Sequence, residues 1–150
     1  MGLHEIRQYF LSKLSSPEEG RRPDAVAIAA CALLLEIAHA DAVFSEPERE
    51  RILRAVREDL GVPEEEVAEI VRLADAERRE SVDLYQFTRL IAERFSREER
   101  LRLVEVIWGV VYSDGALTAA ENQLARRIAE LLGFQHPEVQ AAREKIKSGR

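Results

Sequence analysis

Apolar residues recur at three- and four-residue spacing along almost the whole chain, and no stretch alternates apolar with polar residues as a half-buried strand would. The pattern predicts an all-α protein of about seven or eight helices. Leu3 to Leu14 forms the first, with Ile6, Phe10 and Leu14 on one face, and the polar joint Ser15 to Pro23 follows it. Asp24 is placed to cap a second helix that runs through an alanine-rich segment to about Ala40. Its small residues allow close approach of neighbours, so it should be the most buried helix.

Glycine and proline mark the later boundaries. Ser45 to Leu60 predicts a third helix closed by Gly61, a residue that tolerates the left-handed conformation at a helix end. Pro63 opens a fourth at the first-turn position, with Val67, Ile70, Val71 and Ala74 as its stripe. Glu64, Glu65 and Glu66 sit where the helix dipole favours negative charge. A fifth helix spans roughly Leu84 to Phe95. A sixth runs from Arg97 to about Tyr112, with Leu101, Val104, Ile107, Trp108 and Val111 facing inward. Thr118 opens a seventh that ends at Gly133, and Pro137 opens a short basic eighth that should fray. Residues 1–23 thus form an N-terminal helix and linker and residues 24–150 a helical domain, together one globular unit.

Composition narrows the function classes. In 150 residues the net charge is −6, with 46% hydrophobic and 33% charged residues, which fits a core-forming domain rather than a disordered chain. The longest apolar stretch, Ala25 to Leu35, is too short to cross a membrane, and the N-terminal residues lack an export signal, so a cytoplasmic location is expected. The acidic balance argues against binding a nucleic-acid backbone. Cys31, the sole cysteine, excludes an internal disulfide and a multi-cysteine zinc site; among Ala29, Ala30 and Ala32 it reads as a small buried hydrophobe.

The chain also repeats itself. Ala40-Asp41-Ala42-Val43-Phe44-Ser45-Glu46-Pro47-Glu48 aligns with Ser113-Asp114-Gly115-Ala116-Leu117-Thr118-Ala119-Ala120-Glu121 at a constant offset of 73 residues. After a one-residue gap the following helices match as well, from Ile52 to Gly61 and from Leu124 to Gly133. Two related hairpins therefore flank a helical insert. Ser45 with Glu48, and Thr118 with Glu121, fit the capping box, and Phe44 and Leu117 fit apolar plugs into the core.

Asp41 and Asp114 are less readily explained, because each lies near the C-terminal end of a helix, where the dipole disfavours a carboxylate. Asp114-Gly115 suits an ordinary turn, whereas Ala42 in the first copy tolerates positive φ poorly. If the hairpins pack about a local two-fold axis, the two acidic loops approach each other. Carboxylates about 5 Å apart repel by roughly 3 kcal/mol at an effective dielectric near 20. A hard cation such as calcium, magnesium or manganese would relieve that repulsion, with Asp41, Glu48, Asp114 and Glu121 as candidate ligands.

At these residues the sequence resembles the tellurite-resistance TerB-like family, whose members repeat such acidic hairpins in an all-α fold of this size. The resemblance covers roughly Asp24 to Phe134 and departs from the family pattern at Ala42, where glycine is expected. It implies a two-half bundle with acidic residues gathered between the halves, serving as a non-enzymatic metal-binding or stress-response module. The family's acidic positions fall on Asp41, Glu48, Asp114 and Glu121.

Other chemistries fit less well. Glu36-x-x-His39 resembles half of a di-iron bundle site, but the equivalent region carries Glu105-x-x-Trp108. His39 near a helix C-terminus is more simply a dipole partner. An EF-hand order, a phosphate-cradling glycine loop and a serine-nucleophile motif are all missing. Clustered carboxylates could do acid–base work, but no nucleophile accompanies them. The rival to cation binding is a protein-interaction scaffold with partners of unknown identity, in which the acidic loops are only caps and turns.

Overall fold

The computed structural model describes residues 22–40, 44–81, 83–113 and 118–149, with only the backbone described for residues 22–24. Among these there are seven α-helices and no strand: α1 (Arg22–Ala38), α2 (Glu46–Arg54), α3 (Glu64–Glu80), α4 (Tyr85–Arg94), α5 (Arg97–Val111), α6 (Ala119–Leu131) and α7 (His136–Ser148). The helix expected at Leu3 to Leu14 lies outside the described residues.

Helix α1 is the centre of the molecule. From Ala25 to Ala38 every side chain except Glu36 is buried, and α2, α3, α4, α5 and α6 all pack against it. A helix apolar on all sides has to be enclosed in this way. Its alanines let neighbours approach closely, while Ile28, Leu33, Leu34 and Ile37 fill the gaps. Each such side chain contributes about 1.5–3 kcal/mol by leaving water. Glu36 reaches the margin and pairs with Arg78 of α3 at 3.0 Å, which occupies the carboxylate that half of a di-iron site would need.

Several boundaries differ from the sequence expectation. Helix α1 begins at Arg22, so Asp24 lies inside the first turn and does not cap it; Pro23 fits there because first-turn N–H groups have no helical partner to lose. Arg22 and Pro23 likewise leave the expected linker. Pro63 is the residue before α3, with ψ 143°, and not its first helical residue. Leu73 joins Val67, Ile70 and Ala74 in the buried face of α3, while Val71 packs only partly against the core. Helix α7 is a tied element of 13 residues: Arg143 donates to the Tyr112 hydroxyl at 2.7 Å and Lys145 to Glu105 at 3.1 Å.

The third expected helix holds the most informative departure. It is α-helical to Arg54 and then widens into a π-helical turn, Ala55–Asp59. A π turn accommodates one residue more than the α-helix it interrupts. The repeat requires that residue: the first copy carries one more than the second between its cap and its closing glycine. Both copies end on a left-handed glycine, Gly61 at φ 69° and Gly133 at φ 99°. Beyond Gly133, Phe134 N–H reaches Ala129 O at 3.1 Å, whereas beyond Gly61 the bond runs one residue further, from Val62 N–H to Val56 O at 3.1 Å. The extra residue is thus absorbed within the turn, and both hairpins close alike.

Candidate functional site

The two hairpins are α1 with α2 and α5 with α6. Helices α2 and α6 each pack against both α1 and α5, and α1 packs against α5. Exchanging the halves preserves this pattern of packing. The start of α2 and the end of α5 also meet: Pro47 lines the same cleft as Tyr112 and Ser113. Pro47 is in the first acidic repeat and Ser113 opens the second, so one described residue of each repeat lines this cleft.

Ser45 and Thr118 both cap their helices, and with Ser45 the full reciprocal box is formed. The Ser45 hydroxyl accepts from Glu48 N–H at 3.3 Å, while Glu48 Oε1 accepts from Ser45 N–H at 2.9 Å and lies 3.1 Å from the hydroxyl. In the second copy the Thr118 hydroxyl accepts from Glu121 N–H at 3.1 Å and donates to Glu121 Oε1 at 3.1 Å. Glu48 and Glu121 are each only 1% exposed, an unusual degree of burial for a carboxylate. Capping engages Oε1 in both.

Asp41 and Asp114 lie outside the described residues, as does Leu117. Among the described residues no three His, Cys, Asp or Glu side chains gather as a metal site, a set that excludes both aspartates. Phe44 departs from expectation: it is 37% exposed and meets the His39 ring at a tilt of 49°, with ring centroids 4.6 Å apart, outside the core. His39 Nδ1 bonds Leu35 O at 2.8 Å, so the ring serves the C-terminal end of α1 as a dipole partner would. Trp108 and Cys31 are fully buried, as their neighbours in the sequence suggest.

One feature escaped the sequence pattern. Arg51, Arg54 and Arg57 line the cleft beside the acidic repeats, with Lys145 of α7 among the other lining residues. The three-residue spacing of the arginines was a usable signal, but the acidic total masked it. Below them Asp59 accepts from Arg102 at 2.6 Å and lies 3.7 Å from Arg51, a bridge presented by the π turn.

Two cap-bearing hairpins that repeat in sequence and pack in the same pattern, with a helical insert between them, define a small all-α module of paired acidic hairpins. A family described as tellurite resistance protein TerB matches residues 27–144, and the chain belongs to that family. No curated protein and no solved structure gives a match. No helix of the described residues is long and apolar enough to cross a membrane.

Proposed function

We propose that this TerB-family chain is a non-enzymatic module that binds a divalent cation, calcium, magnesium or manganese, between its acidic hairpins. Asp41 and Asp114 are the primary oxygen ligands, and Glu48 and Glu121 divide their oxygens between cap and ion. The observation that carries this is the equivalence of the two copies: two glutamates, each 1% exposed, occupy the same cap position in hairpins whose helices pack in the same pattern. A carboxylate held this far from water is costly without a counter-charge. The module acts in the cytoplasm, in a stress-response setting, and passes the ion-bound state to protein partners.

Calorimetric titration of the chelator-stripped chain with each ion tests the proposal. Glu48→Gln and Glu121→Gln are informative variants, because a glutamine oxygen still completes a capping box. Both should fold and bind the ion more weakly; unchanged affinity in both would leave the glutamates as caps alone. A second role, an interaction scaffold without an ion, draws support from the completeness of the Ser45 cap and from the exposed rings of Phe44 and Tyr85. Absence of heat with all three ions at millimolar concentration would favour it.

A further inference from the structure

The cleft lined by Arg51, Arg54 and Arg57 has a volume of about 630 Å³, within the range of small-molecule sites. Lys145 adds a fourth cation, and among the described residues lining it Glu50 alone is acidic. This concentration of positive charge stands in a chain of net charge −6. Pairing neutralises it only in part. Arg54 has no acidic partner among the described residues, and Arg57 meets only the largely exposed Glu64 at 3.5 Å, a weak surface pair. Lys145 does pair with the buried Glu105, at 3.1 Å.

Arg51 is the built part of the site. Its side chain is 15% exposed and lies against Gly109 of α5, where a Cβ would stand 2.9 Å from Nη2 and 3.0 Å from Nε. A glycine at this place leaves room for the guanidinium. Arg51 Nη1 makes no hydrogen bond among the described residues, since Asp59 lies 3.7 Å away and gives its short bond to Arg102. Burial, then the neighbouring Arg54, push the Arg51 pKa below its usual value, with Arg102 acting the same way and Asp59 opposing. Crowded, partly desolvated cations of this kind are stabilised by an anion.

We infer that this cleft binds a small anion carrying two or three phosphate groups, with Arg51, Arg54 and Arg57 as its donors. Guanidinium forks match phosphate oxygens and hold two at once. Arg51, Arg54 and Arg57 follow one another along the helix and its π turn, so they form a row suited to a linear polyphosphate chain rather than to one phosphate. The acidic balance of the whole chain still disfavours a long nucleic-acid backbone, whereas a short anion need meet only this cleft.

The test is calorimetric titration of the full chain with inorganic phosphate, tripolyphosphate and adenosine triphosphate at fixed ionic strength. A chelator throughout removes divalent cations, so the outcome does not depend on cation binding by the acidic loops. Tripolyphosphate should bind one per chain and on the order of tenfold tighter than phosphate. Tighter binding of adenosine triphosphate would identify a nucleotide as the source, and equal binding a bare polyphosphate chain. Arg54→Gln, an exposed change, should weaken binding with unaltered melting. Gly109→Ala keeps every charge but displaces the Arg51 guanidinium, and should weaken binding too. Arg127→Gln, on the exposed side of α6, should change nothing. No binding at millimolar tripolyphosphate, or equal weakening by Arg127→Gln and Arg54→Gln, would overturn the inference.

Discussion

Ser45 and Thr118 accept the N–H groups of Glu48 and Glu121, and the same two glutamates are the buried carboxylates of the candidate cation site. Cap and ligand roles can be separated residue by residue. Ser45→Ala or Thr118→Ala should each cost about 0.5–2 kcal/mol by leaving a helix-end donor unanswered, measured by denaturant melts with and without added cation. The cost should be the same in both conditions if the hydroxyls serve only the cap. Cys31 gives an independent handle on the core. Burial, with a smaller push from Asp75, raises its pKa to about 12, well above the 9.0 of an exposed thiol. Between those values the unfolded chain loses a proton that the native chain keeps, so stability should fall as pH rises through that window. At pH 8 a thiol reagent should label Cys31 only as fast as the protein opens; immediate labelling of the native state would contradict the buried assignment.

Helix positions were largely legible from apolar spacing and from Gly61, Pro63, Gly133 and Pro137, because those signals are local. Departures arose where tertiary or backbone context took over. Asp24 has the chemistry of a cap but lies within α1, since Pro23 also suits the first turn. Phe44 has the chemistry of a core plug but finds the His39 ring instead. The π turn was present in the sequence as a one-residue gap between repeats, a spacing mismatch whose physical meaning emerges only once both helices are seen to close on equivalent glycines. Gly61 lies at φ 69° with open space around its Cβ direction. Gly61→Ala should therefore cost about 1–2 kcal/mol through backbone strain alone, visible as a lower denaturation midpoint without any change in helix content.

At the scale of the whole molecule, the repeat foretold two halves, and the packing of α2 and α6 against both α1 and α5 supplies the relation between them. The arginine cleft was hidden because net charge averages over a surface, whereas Arg51, Arg54 and Arg57 are concentrated by one helix face and by the glycine opposite. The glutamates of the candidate cation site were legible as caps, and their burial was not, since it depends on how α2 and α6 seat against α1 and α5.

The most direct measurement for the central claim is a thermal melt of chelator-stripped protein against calcium, magnesium and manganese, beside an Asp41→Asn/Asp114→Asn double variant. An ion at 100 times its Kd that binds only the folded state adds about 2.7 kcal/mol of stability. At least one ion should raise the melting temperature of the native sequence, and the double variant should lose this rise while melting near the ion-free value. An identical rise in the double variant, or no rise with any ion at millimolar concentration, would contradict the central claim.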